Sequence, residues 1–203
     1  MYREQDGNYM SVTSIIKPEG IDFPPELLKQ YASRGTIVHK QVEEYLLTGD
    51  IISPEETDLP TDLSTVKEGS LKLPIDSCNY QGFFEEYGND FDVRYVEKKL
   101  KNTTHHYMGR SDIIGKYKGE WAIMDIKTAS SYTPEKMIDY WMQLAAYANC
   151  IKPPLKRMVI IPLTPTSEYG YEEPIVNDDV EHYFNLFLKK LAYARENYQL
   201  PTV

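Results

Sequence analysis

The order of elements in this 203-residue sequence predicts an α/β fold, with a central mixed β-sheet flanked by helices. Three observations carry that expectation. Strand-like runs follow one another closely: FDVRYVEKKL, YMGRSDIIGKY and EWAIMDIKT. A proline-led helical stretch from Pro134 to about Cys150 separates them from a short apolar run, RMVIIPL. The chain then closes on a long amphipathic stretch. A hairpin gives antiparallel pairing and a helical crossover gives parallel pairing, so the sheet is mixed.

The remaining elements follow in order. NYMSVTSII has enough β-branched residues for a short strand, or leads into a helix. Pro24-Pro25 sits where a helix start tolerates proline. One helix is expected from about Glu26 to Ala32 and a second from about Thr36 to Leu47, closed by Gly49. Residues 50–63, rich in acids and proline, read as a loop. One or two helices lie between Leu63 and Tyr87, interrupted near Pro74. Lys118-Gly119 suits a tight hairpin turn. The last helix, from about Asp178 to Tyr198, sets Val180, Tyr183, Phe184, Phe187, Leu188 and Leu191 on one side. The whole reads as one domain: a mainly helical part over 1–90, the sheet and crossover helix over 91–165, and a C-terminal hairpin and helix over 166–203.

Composition narrows the function classes. No apolar run approaches the ~20 residues that span a bilayer, so no membrane partner is expected. MYREQDGNYM has no apolar core of a secretory signal, and a cytoplasmic location is the default. Cys78 and Cys150 form no CxxC pair, which leaves zinc and iron–sulfur sites unsupported. The net charge of −9 argues at first against a polyanionic partner. The charge is uneven, however: Asp50 to Asp92 holds eleven acids against two lysines, and Arg94 to Lys127 holds eight bases against four acids.

That basic stretch also carries the chemistry. In EWAIMDIKT, Asp125 and Lys127 project from one face of a strand while Met124 and Ile126 face apolar packing. Alone, such a pair is ordinarily a solvated ion pair. GRSD places Asp112 on the preceding strand, and antiparallel neighbours lie about 4.8 Å apart. Two carboxylates that close repel unless a cation separates them, and Mg²⁺ suits a site of hard oxygens with an open side. Upstream, His39 and Glu43 share a helix face at i and i+4, with Gly35 near the helix start. Downstream, Tyr140, Gln143 and Tyr147 form a polar–aromatic stripe: the edge of a core, or the border of a DNA groove with tyrosine as a stacking surface.

These four parts, in this order, resemble the PD-(D/E)XK nuclease superfamily, and within it the RecB-like exonucleases. The pattern G-x-x-x-H, G-x-x-D, (D/E)-x-K and Q-x-x-x-Y reads here as Gly35 to His39, Gly109 to Asp112, Asp125 to Lys127 and Gln143 to Tyr147. SVTSII also resembles a lead-in found in relatives of the mitochondrial genome maintenance exonuclease and phage exonucleases. The resemblance implies a restriction-endonuclease-like core and a metal-dependent DNA exonuclease working in repair, replication or recombination, on DNA that is single-stranded or has a free end, with a replication or recombination protein as a further partner. It implies Mg²⁺ or Mn²⁺ held by His39, Asp112, Asp125 and the Ile126 carbonyl, and Lys127 acting on the attacking water. Gln143 and Tyr147 would support the site, and Arg110, Thr128, Lys98 and Lys116 would contact nucleic acid. Glu97 and Glu43 are further candidate acids. No iron–sulfur cluster is expected, since two cysteines cannot supply the four it needs. A structure-specific or restriction-like endonuclease on the same core is the enzymatic alternative, and an inactive DNA-binding or assembly module the non-enzymatic one.

Overall fold

The computed structural model describes residues 9–17, 25–53, 56 and 78–197. The three strand runs form β2 (Phe91–Asn102), β3 (Tyr107–Tyr117) and β4 (Glu120–Lys127), paired antiparallel in sequence order. Between β3 and β4, Lys118 (φ 49°) and Gly119 (φ 84°) are both left-handed, as a two-residue type I′ turn demands. α4 (Pro134–Ala148) starts at Thr133, whose hydroxyl accepts from the Lys136 N–H. It carries the chain to β5 (Arg157–Pro162), parallel to β4. β6 (Ile175–Asn177) adds antiparallel to β5, and α5 (Val180–Asn197) closes the described chain. At the other end, both readings of the opening segment are realised: β1 (Met10–Ser11) pairs parallel with β3 and leads directly into α1 (Val12–Ile16). The result is a six-stranded mixed sheet.

Two apolar layers sandwich this sheet. α1, α4 and α5 pack on one face through residues such as Ile15, Leu144 and Phe187, against Tyr107, Ile114, Ile123, Met158 and Ile160. On the other face, α2 (Pro25–Thr48) and α3 (Tyr80–Tyr87) set Val38, Val42 and Phe83 against Ile113, Met124, Ile126, Val159 and Ile161. β5 feeds both layers alternately, which is why the run is apolar from Met158 to Leu163.

One sequence expectation is corrected. The two helices expected on either side of Ser33-Arg34-Gly35 are a single helix of 24 residues. A helical glycine costs only about 1 kcal/mol, less than the apolar face of Ile37, Val38 and Val42 returns on burial. Of the helices expected between Leu63 and Tyr87, α3 lies among the described residues. Pro74 and most of the acidic loop lie outside them. No helix among the described residues is long and apolar enough to cross a membrane.

Alternation fails at a bulge between Val93 and Tyr95 on β2 and at a second place, which matters for the site. Tyr107 and Ile114 are seven apart on β3 yet belong to the same layer, whereas strict alternation puts them on opposite faces. The slip is matched on β2, where Glu97 adopts φ 50°. A left-handed non-glycine residue costs roughly 1–2 kcal/mol. It persists here because paired residues on both sides, Val96 with Ile113 and Lys98 with Ser111, fix it.

The close pairing of β2 and β3 gives a stability prediction. A Cβ on Gly115 would lie 2.3 Å from the Asp92 carbonyl oxygen, while one on Gly119 meets nothing within 4 Å. Gly115→Ala should therefore lower unfolding free energy by roughly 3 kcal/mol. Gly119→Ala, penalised only by its φ, should lose about 1–2 kcal/mol. Equal losses in urea denaturation would contradict the close approach.

Candidate active site

The candidate residues meet where β3 and β4 part. Their pairing ends at Ile113 with Met124. β2 runs along one edge of β3 throughout, so β1, which pairs at Tyr107 and Met108, shares the other edge with β4. The gap between β1 and β4 is a fork. At its apex Asp112 takes over from the missing strand: its Oδ2 accepts the Ile126 N–H at 2.8 Å. Asp112 and Asp125, one step beyond the last pair, thus flank the opening.

α2 reaches the fork from one side. His39 Nε2 donates to the Ile126 carbonyl at 3.0 Å, and Nδ1 lies 3.4 Å from Asp112 Oδ2. Burial opposes a charge on the imidazole, but the Asp112 carboxylate outweighs it and lifts the pKa to about 9. Asp112 is itself held below its ordinary value: burial pushes upward, and the His39 imidazole more than offsets it. Gly35, one turn before His39, lets the helix approach the sheet; a Cβ there would touch Thr128 Oγ1 at 3.4 Å. Arg34 also fastens this junction, donating from Nη2 to the Thr128 carbonyl at 2.8 Å.

α4 reaches it from the other side. The Lys127 ammonium contacts Asp125 Oδ2, donates to Gln143 Oε1 at 3.1 Å and lies 4.6 Å from the Tyr140 ring centroid. Gln143 Nε2 donates to Asp125 Oδ1 at 3.2 Å and approaches the Tyr147 hydroxyl at 3.4 Å. One amide therefore holds both members of the D-x-K pair. Burial pushes Asp125 up to about 6, against the pull of Lys127, and Lys127 is raised because Asp125 and Asp112 outweigh the cost of burial. Tyr147 is 2% exposed. A Cβ on Gly109 would lie 2.5 Å from its ring, so Gly109 and Tyr147 need each other. Tyr147 is a packed support and not a stacking surface.

Glu97 completes the cluster. The slip in β2 brings it in, and ligand atoms of His39, Glu97 and Asp112 all lie within 4.8 Å of one another. Burial and the Asp112 charge raise its pKa, although Arg110 pairs with it at 3.0 Å. Glu43 is outside this cluster and pairs with Lys40 at 3.1 Å. Lys98 is exposed on β2. Lys116 sits four residues beyond Asp112 on β3, about 13 Å along the strand.

Sequence reasoning missed two supports. Arg34 fixes the exit of β4, and Tyr132 donates its hydroxyl to the Lys127 carbonyl at 3.0 Å. Both act on main-chain oxygens, which leave no pattern in side-chain spacing. The arginine directly before the G-x-x-x-H glycine was the available signal.

No family model matches the sequence, and no curated protein matches it. Among solved structures the chain is similar to the crystal structure of SSO0001, at 13% identity over 94% of this chain and 79% of that one, with a TM-score of 0.43. It is similar to an alkaline exonuclease (LHK-Exo) from Laribacter hongkongensis, at 12% identity over 93% and 90%, with a TM-score of 0.42. It is also similar to LHK-Exo in complex with dAMP, at 14% identity over 93% and 90%, with a TM-score of 0.39.

The double grip of Gln143 gives the prediction for this site. Gln143→Leu removes the amide that Lys127 and Asp125 share and should cost about 1–3 kcal/mol. Chemical denaturation measures it; unchanged stability would show that the amide does not hold the pair.

Proposed function

We propose that the chain is a single divalent-metal-dependent deoxyribonuclease domain acting at DNA ends in repair, replication or recombination. One observation carries this reading: an imidazole and two carboxylates converge at the fork, next to a second buried acid and a fixed lysine. Three acids share the fork with His39, Lys127 and Arg110, yet Asp125 and Glu97 are still held above their ordinary values, so the cluster would accept a further cation. The carboxylate and carbonyl oxygens fit Mg²⁺ or Mn²⁺, which favour such ligands, with the His39 imidazole as the one nitrogen donor. Asp125 Oδ2, buried and without a well-aligned hydrogen bond, fits the same purpose.

Glu97, Asp112 and Asp125, with the Ile126 carbonyl, would hold the metal, and His39 would join them through Nδ1 on giving up its proton. Bound there, it supplies Lewis-acid stabilisation of the phosphoryl oxygens and activation of a water at neutral pH. Lys127, steadied by Asp125 and Gln143, is a donor: it orients the attacking water and offsets charge developing on the phosphate. Tyr147, against Gly109, positions Gln143. Arg110 and Thr128 border the fork, where a phosphate of the substrate would pass. The preference for DNA ends rests on the motif resemblance.

Digestion of end-labelled linear and closed circular DNA with Mg²⁺ tests the reading. Linear DNA should be degraded and circular DNA spared, and Lys127→Ala or Asp125→Ala should slow cleavage about 100-fold or more. Parental rates in either folded variant would sink the assignment. Glu97→Gln should raise the Mg²⁺ concentration for half-maximal activity roughly tenfold, whereas Glu43→Gln should not. Equal responses would remove Glu97 from the metal site.

A further inference from the structure

Two exposed rings stand on the sheet face that leads to the fork. Tyr95 is directly opposite Ile114, and Trp121 directly opposite Lys116. Paired residues project to the same face, as do Ile114 and Lys116, two apart on β3. Tyr95, Lys116 and Trp121 therefore share the face on which Ile114 and Ile123 pack beneath the helices. The helical layer stops short of them: Tyr95 is 51% exposed and Trp121 46%. Each ring has a cation beside it. Lys98 Nζ is 5.1 Å from the Tyr95 centroid, and Lys116 Nζ 5.9 Å from that of Trp121.

Tyr95 lies two residues before Glu97, about 7 Å along β2, and Trp121 lies about 7 Å further along the strands on the far side of β3. Two strand spacings separate the rings sideways, so they are roughly 12 Å apart and would hold separate bases of one unpaired strand. The charge suits a polyanion. Among the four acids between Arg94 and Lys127, three belong to the site, and eight bases surround them in a chain of net charge −9.

We propose that this strip binds a single-stranded DNA segment leading into the fork, with bases on Tyr95 and Trp121 and phosphates near Lys98 and Lys116. The proposal rests on the nuclease reading above and deepens it by naming the substrate as single-stranded. In a duplex both faces of each internal base are already stacked, whereas an unpaired strand offers them to aromatic side chains.

Binding is measured in chelator, where cleavage is silent, with a labelled short oligothymidylate and a blunt duplex of the same length. In the parent, the oligothymidylate should quench the emission of exposed Trp121, the other tryptophan, Trp141, being buried. Tyr95→Ala and Trp121→Ala should each weaken oligothymidylate binding about tenfold and leave duplex binding unchanged. Lys116→Gln should lower the salt slope by about one. Absence of quenching in the parent, unchanged affinity in both ring variants, or an equal loss for duplex overturns the proposal. Mg²⁺-dependent cleavage by a parent whose ring variants bind normally overturns the strip and leaves the nuclease reading standing. Ring-dependent binding by a protein that never cuts does the reverse.

Discussion

The hydrogen bond from the Ile126 amide to Asp112 Oδ2 is the interaction on which the rest of the site depends. Two neighbouring strands that separate inside a protein each leave a row of polar main-chain groups, and leaving those groups unpaired is costly. Here a carboxylate fills the first vacancy. It can do so only if β3 turns that side chain into the gap, and the slip in alternation achieves this. The same carboxylate then draws the His39 imidazole, whose other nitrogen donates to the Ile126 carbonyl. Both main-chain polar groups of Ile126 are thus satisfied by two motif side chains, Asp112 and His39.

Charge balance explains the rest of the cluster. Asp112, Asp125 and Glu97 are crowded, with His39, Lys127 and Arg110 interleaved among them. Burial alone would neutralise the acids. The interleaved cations keep Asp112 ionised, while Asp125 and Glu97, less well compensated, are pushed upward.

Much of this was legible in the sequence where a residue's role is set by local geometry. β3 and β4 and their turn follow from alternation and from Lys118-Gly119, and the Asp125–Lys127 pair shares a face for the same reason. His39, Asp112, Asp125, Lys127, Gln143 and Tyr147 are brought together as the motif order suggested. What could not be read depends on the third dimension. The continuity of α2 through Gly35 is decided by the burial of Ile37, Val38 and Val42 against strands far along the sequence. Glu97 enters the cluster through a left-handed residue that no pattern of alternation announces, and Glu43, at the favoured helical spacing from His39, turns to Lys40 instead. Tyr147 looked equally suited to a groove and to a core, and only the missing side chain at Gly109 decides for the core.

The site also lies at the seam between two separate apolar layers. His39 arrives from the α2–α3 side and grips the middle of one short stretch, Asp125 to Lys127, while Gln143 from the α1–α4–α5 side grips both of its ends. Loosening either layer withdraws one of the two grips, so neither layer can breathe without the other registering it at the fork. The amide of Ile126 belongs to that stretch and is hydrogen-bonded by a side chain instead of a neighbouring strand. Its resonance would report, as a single spectroscopic probe, on the integrity of both halves of the molecule.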